Sequence, residues 1–231
     1  MKKLFVTLVC ATLALTASAQ YASSSSSSFF STEASDRPVT AGIRAGLNIA
    51  NMSVSNDSYS LSPNSKTGFH IGMVVDIPLM QSLYIQPGLY YTTKGCKEKE
   101  ADDDDYEITL NPSYLEMPIL ASYRYDFSDA AQLQVNFGPY FAFGLGGKVK
   151  EEEHYKNGRT SEDEYDFFGS KNDDSWGAKR FDMGLQVGAG ITIAQHVYVG
   201  LAYEFGLMNL SRSSDASVKN NNLLISLGYQ F

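Results

Sequence analysis

The last nine residues place the tightest constraint on what this chain can become. Leu223, Ile225, Leu227, Tyr229 and Phe231 alternate with Leu224, Ser226, Gly228 and Gln230, and the sequence closes on the aromatic. Period-two apolarity marks a β-strand with one greasy face. A terminal aromatic is expected where the last strand of an outer-membrane barrel meets the edge of the bilayer. Tyr229 and Phe231 then serve as the assembly signal presented to the barrel-assembly machinery.

Seven more strand-like runs precede that one. They cover approximately Ala41–Met52, Thr67–Pro78, Ser82–Gly95, Tyr106–Tyr125, Ala131–Val149, Lys179–Ile193 and His196–Leu210. Most exceed the ~9–11 residues that a tilted strand needs to cross a bilayer. Asn111-Pro112 is expected to break pairing in the fourth run, because proline cannot donate to a β-ladder. The connections alternate in length. Pro78–Ser82, Asp126–Ala131 and Ala194–His196 are tight, whereas those near 53–66, 96–106, 150–178 and 211–220 are longer and polar. Short periplasmic turns opposite long extracellular loops are the pattern of an outer-membrane barrel. The fold expected is all-β, an eight-stranded antiparallel up-and-down transmembrane β-barrel over 41–231, with both termini periplasmic.

The N-terminal end fits export to that membrane. Lys2 and Lys3, the apolar run Leu4–Thr16 and Ala17-Ser18-Ala19 read as a signal peptide over 1–19, cut after Ala19. Val9 and Leu8 before Cys10 do not match a lipoprotein signal. Residues 20–40, with the Ser23–Ser28 run, have little to bury and are expected to form a disordered periplasmic tail. Removing the signal peptide leaves Cys96 as the single cysteine, so no intramolecular disulfide can form. It is either a reactive thiol or a loop cysteine without a role. No later segment offers the ~20 continuous apolar residues of a membrane helix.

Comparing the two faces of the strands decides which solvent lies outside. In the sixth and seventh runs one face reads Phe181, Met183, Leu185, Val187, Ala189, Ile191 and Val197, Val199, Leu201, Tyr203, Phe205. The other is mostly Gly, Gln, Thr and Tyr with isolated charges, unlike the Lys- and Glu-rich exterior of a water-washed barrel. The apolar face is therefore expected to meet outer-membrane lipid. Tyr84, Tyr91, Tyr123, Tyr125, Tyr229 and Phe231 lie near strand ends and can form interfacial girdles, although alternation turns Tyr84 inward. The same alternation points Arg44, Asn48, His70, Asp76, Gln86, Tyr90, Glu116, Arg124, Gln134, Asn136, Tyr140, Asp182, Gln186 and Glu204 into the lumen. Buried charges are costly alone, so Arg44, His70, Asp76, Glu116, Arg124, Asp182 and Glu204 are expected to form a polar network. Arg44 and Asp182 are the candidate partners of Glu116 and Arg124. Such a network either plugs the barrel or forms a path for protons or small ions.

Tyr114-Leu115-Glu116-Met117-Pro118-Ile119-Leu120, followed by Tyr123-Arg124-Tyr125, resembles the porin-family, or PorT-type, outer-membrane β-barrel domain of Bacteroidetes-like bacteria. Gly42-Ile43-Arg44-Ala45-Gly46-Leu47-Asn48, Gly68-Phe69, Gly138-Pro139-Tyr140 and Leu227-Gly228-Tyr229-Gln230-Phe231 extend the resemblance over roughly 40–231. It implies a fold and a location; some relatives take part in protein secretion.

Chemistry is sparse. His70, His154 and His196 lie apart, without a second His or Cys at metal-ligand spacing, so no catalytic, metal or cofactor site is expected. His154 with Glu151–Glu153 and Asp163 supplies ingredients for a rim-site enzyme, the third reading of function. The formal charge of −8 argues against a nucleic-acid partner. Acids crowd 96–106 and 150–178, either as solvated loops or as divalent-cation ligands, without the register of a dedicated calcium loop. Tyr165, Phe167, Phe168 and Trp176 in the larger loop either pack on the barrel rim or meet a surface or secretion partner. The function expected is non-enzymatic, structural or surface-interacting, with a narrow channel or a secretion-apparatus component as the alternative.

Overall fold

A sheet of alternating strands hides one face by closing on itself, and this one does. The computed structural model describes residues 35, 37–56, 60–61, 63–100, 105–128, 130–154, 160–169, 175–212 and 216–231. The signal peptide with Ala17 and Ala19, and the tail as far as 34, lie outside the described residues. The described residues form twelve strands: β1 (Thr40–Asn56), β2 (Ser60–Leu61), β3 (Asn64–Pro78), β4 (Leu83–Thr93), β5 (Cys96–Glu100), β6 (Asp105–Ser128), β7 (Ala131–His154), β8 (Thr160–Phe168), β9 (Ser175–Ala178), β10 (Phe181–Ile193), β11 (Val197–Gly206) and β12 (Ala216–Gln230).

Eight of them form the ring, in the order β1, β3, β4, β6, β7, β10, β11, β12 and back to β1. All its pairings are antiparallel, and closure runs from Gly42 opposite Gln230 to Asn56 opposite Ala216. The tight connections lie at one end, hereafter the turn end. One of them, Ile193–His196, is held by His196 N–H donating to Ile193 O at 3.1 Å. Its central residues Ala194 and Gln195 both have positive φ, 50° and 63°, the twist that matches a hairpin's strands.

The outward face of the ring is apolar. Ile43, Leu47, Phe69, Ile71, Met73, Met117, Phe137, Leu201 and Leu227 are all exposed side chains on it. In a membrane that surface is matched by lipid. At the turn end Tyr125, Phe127, Tyr229 and Phe231 are exposed, whereas Tyr84 is buried inside, as its place in the alternation requires.

At the other end the structure departs from the sequence reading. The segments 96–106 and 150–178, expected as loops, carry β5, β8 and β9, and β6 and β7 run on past the ring to Asp105 and His154. β12 likewise begins at Ala216, inside the expected 211–220 loop, and β3 begins at Asn64. The reason is visible in the register. Lys148 and Lys150 bridge to Glu164, Asp166 and Glu162 on β8, so charge density that reads as a loop is partly cross-strand pairing. We call this projecting sheet the ribbon.

Asn111-Pro112 does not break the fourth run. Asn111 pairs with Lys148 and Pro112 with Gly147, and the irregularity falls next to them, where Ser113 pairs with Gly146 but Tyr114 with Gly144. Leu145 is the extra residue of a β-bulge. Inward positions of β7 are even-numbered below the bulge (Gln134, Asn136, Tyr140, Ala142) and odd above it (Val149). Two glycines serve this region. Gly95, at φ 125°, turns β4 into β5, and a Cβ there would lie 2.0 Å from Leu110 O. A Cβ on Gly144 would meet the Phe168 ring at 2.3 Å.

Candidate functional site: the filled lumen

An eight-stranded barrel is just wide enough for its own side chains, so what fills this one decides what can pass. Three polar tiers and one apolar layer occupy it.

The tier nearest the turn end is built on Asp76, which is fully buried on β3. It accepts from Gln86 Nε2 at 2.5 Å and Gln230 Nε2 at 2.6 Å and forms an ion pair with Arg124 Nη2 at 2.5 Å. Arg44 donates to Gln86 Oε1 at 3.0 Å and lies 3.8 Å over the Tyr198 ring. Arg124 lies 4.2 Å over Tyr84. Guanidiniums held between a carboxylate or amide and an aromatic face are fixed in plane as well as in charge.

The middle tier is neutral. The Asn48 amide donates to Thr92 Oγ1 and Thr93 O, both at 2.8 Å, which turns its carbonyl toward His70. His70 Nδ1–H therefore donates to Asn48 Oδ1 at 2.7 Å, and in the neutral ring Nε2 accepts from Ser226 Oγ at 2.9 Å. A void of about 20 Å³ bordered by Arg44, His70, Tyr90, Glu116 and Ser226 is room for a single water.

The third tier centres on Lys94. Its ammonium lies 2.6 Å from Glu116 Oε2 and 2.9 Å from Glu204 Oε2, with all three side chains essentially without solvent contact. The Tyr140 ring lies 4.3 Å from the same nitrogen. Asn222 donates to Glu204 Oε2 at 3.2 Å, and Asn220 donates to Asp182 Oδ2 at 2.9 Å.

These contacts correct the expected pairings. Arg44 and Asp182 are not the partners of Glu116 and Arg124; Lys94 holds Glu116, and Asp76 holds Arg124. Gln186 and Tyr90 are half-buried, and the other residues expected in the lumen are buried. Lys94 escaped the sequence reading although alternation along β4 marks it, following Tyr84, Gln86, Tyr90 and Thr92. Asn220 precedes the strand start that the pattern marks at Asn221, and Asn222 lies in a strand whose period is marked by its apolar face.

Above the Lys94 tier the interior turns apolar. Met52, Cys96, Leu110, Val149, Phe167, Phe168, Ala178, Leu210 and Val218 form one buried cluster with Tyr114 and Tyr140. It draws on β1, β5, β6, β7, β8, β9 and β12, so it lies across the interior at the ribbon end. Phe168 meets Tyr114 edge-on at 5.6 Å, and Phe167 stacks on Trp176 at 5.2 Å. The loop aromatics thus divide. Phe167 and Phe168 are buried, while Tyr165 and Trp176 remain exposed. Cys96 is part of the layer, and burial pushes its thiol up to about 12, which makes it inert rather than reactive.

Residues 19–212 match the outer membrane protein beta-barrel domain model. The chain belongs to that family. Ail, the attachment invasion locus protein of Yersinia pestis, is a similar structure at 17% identity, covering 84% of this chain and 100% of Ail with a TM-score of 0.39. OprG from Pseudomonas aeruginosa is 12% identical, covers 87% of this chain and 98% of its own, and has a TM-score of 0.43. The protease OmpT from Escherichia coli, at 11% identity, covers 84% of this chain and 96% of its own with a TM-score of 0.34. No curated protein sequence matches. Family membership places the chain in the outer membrane as a β-barrel, and its own ring runs through eight strands.

Among the described residues no group of three or more His, Cys, Asp and Glu is placed to hold a metal ion. His196, at the turn end, engages Gln230 O at 2.9 Å and stacks on Tyr229. The side chain of His154 lies outside the described residues.

Proposed function

We propose that this is a non-enzymatic outer-membrane barrel that acts through the ribbon it holds beyond the bilayer, in a surface-interaction role. The observation that carries this reading is the filled interior: among the described residues, three tiers of paired polar side chains capped by an apolar layer occupy it, with a water-sized void beside His70 and Glu116. A chain built to conduct would line its axis with space and water. Here the axis is spent on holding strands whose far ends, β6 and β7, project and carry acids and the exposed Tyr165 and Trp176.

In this reading the turn end and both termini face the periplasm, and segments 96–106 and 150–178 meet a surface or secretion partner outside. Export uses residues 1–19 with cleavage after Ala19, and Tyr229 and Phe231 present the last strand to the barrel-assembly machinery. The motif at 114–125 supports a place in the PorT-type branch of the family.

Planar-bilayer recording on the purified chain tests the proposal. No steady conductance is expected, and protease added to intact cells should cut near Lys156–Lys171 while the ring survives. Stable pores of defined conductance would overturn it and promote the channel or secretion-component reading.

A further inference from the structure

The ribbon ends in a strand with one open side. β8 pairs with β7 from Thr160 opposite His154 to Asp166 opposite Lys148. Its other side meets β9 only at Asp166 and Phe168. Among the described residues no strand lies along that side from Thr160 to Glu164, and the side chains of this stretch are all exposed. Backbone N–H and C=O groups along such an edge are a template for a further strand. Proteins commonly close an edge with lysine, with proline, with a bulge or by keeping it short. β5, at the ribbon's opposite edge, carries Lys97 and Lys99, and β9 has only 4 residues. Residues 160–164 contain neither lysine nor proline, and β8 keeps an unbroken register against β7.

What this edge presents is negative charge at the period of a strand. Glu162, Glu164 and Asp166 recur every second residue and so share one face, with Asp163 on the other. Lys148 and Lys150 on β7 face the first three, but each is divided between two acids: Lys148 between Glu164 and Asp166, Lys150 between Glu162 and Glu164. Glu162 also lies directly opposite Glu152, and on the other face Asp163 lies opposite Glu151. Like charges directly across a ladder are unfavourable, and a cation brought to the open side relieves them.

Edge and charge together select the occupant. A second copy of β8 added here would set acids against acids, so the edge is closed to itself. The carboxylates of the described residues do not gather into a group that could hold a metal ion. An extended segment with cations at alternate positions satisfies the open backbone and the crowded acids at once. We propose that, given the surface role of the ribbon on which this rests, the open edge of β8 takes up a lysine- or arginine-bearing segment of a partner protein as an added strand. Its cations lie beside Glu162 and Glu164, in the two-residue register that those acids set.

The probe is a short blocked peptide alternating lysine and threonine, titrated into the mature chain in detergent micelles and followed by NMR. It should shift the backbone amide signals of residues 160–164 and slow the hydrogen exchange of those that point away from β7. A glutamate–threonine counterpart should not bind. The lysine peptide with alternate amides methylated keeps its charge but cannot add to a strand, and should bind about tenfold more weakly. Glu152→Lys should weaken the unmethylated peptide about fivefold, because a cation then already faces Glu162. The same change removes a like-charge pair within the ribbon, so loss of folding does not account for that result. Equal binding of the methylated peptide, binding of the glutamate peptide, or unchanged affinity in Glu152→Lys would each overturn the proposal. So would calcium shifting the same amides at a lower concentration than the peptide, or a dimer formed through residues 160–164. Bilayer conductance of the same preparation separates the two readings: a silent barrel whose β8 ignores the peptide overturns this partner alone, whereas stable pores overturn the surface role itself.

Discussion

The membrane-spanning ring and the ribbon end are inside-out versions of one another. In the ring the interior holds Arg44, Asp76, Lys94, Glu116 and Glu204 while Leu47, Met73 and Leu227 face outward. At the ribbon end Met52, Val149, Phe167 and Phe168 are interior, and Lys148, Lys150 and the acids opposite them are at the surface. Both parts use the same strands, β1, β6, β7 and β12. The difference lies in the surrounding solvent. Lipid cannot hydrogen-bond, so charge is driven into the lumen; water can, so apolar side chains take that place beyond the bilayer. The changeover falls between Lys94 and Cys96 on one side of the barrel and between Asn220 and Val218 on another. On β7 the bulge at Leu145 carries it out, switching which parity points inward.

The largest effect should come from breaking the polar interior. Replacing Lys94 with Met leaves Glu116 and Glu204 facing each other in a dry site without their cation. The cost should be about 3–5 kcal/mol, read as a lower midpoint of urea unfolding in detergent. A small loss would mean that water reaches the tier, and the contrast between the two interiors would weaken.

The matching test on the apolar interior is Phe168→Ala. It removes a ring that fills the space above Gly144 and packs on Tyr114 and Phe167. A loss of about 3 kcal/mol is expected. It should be local, appearing as faster proteolysis of the ribbon while the ring keeps its heat-modifiable migration. Equal destabilisation of ring and ribbon would show that the two cores fold as one.

The smallest effect sharpens the comparison at the surface. Glu152 pairs with Glu107 on one side and Glu162 on the other, like charges directly across the ladder. Glu152→Lys should convert both pairs to attractive ones and slow cleavage of the ribbon, by about 0.5–1 kcal/mol. The gain should fade in high salt, because these side chains are not deeply buried.

How much of this was legible follows from the same contrast. Wherever lipid is the outer solvent, alternation is sharp, and the lumen positions of Arg44, His70, Asp76 and Arg124 could be read from their place in it. The tier around Lys94 was only half legible: its acids, Glu116 and Glu204, fell in clear strands, but the lysine sits where β4 gives way to a glycine corner. The ribbon was misread because its inner face is short and its outer face is acidic, a composition shared with solvated loops. Phe167 and Phe168 gave a signal as aromatics in an acidic stretch, but not its direction.

The sequence by itself determined the eight runs of the ring, the closure of the last strand on the first and the side of most ring residues. Those follow from local rules: a two-residue period, turn lengths and the need to satisfy every backbone group in lipid. Which charges pair, where the interior changes from polar to apolar, and that two guanidiniums meet at one tyrosine were decided only by the tertiary structure. Such contacts join residues far apart in the chain, as Lys94 joins Glu204 and Arg37 joins Tyr84. They depend on the stagger of a closed barrel and on one bulge, and no local pattern records either.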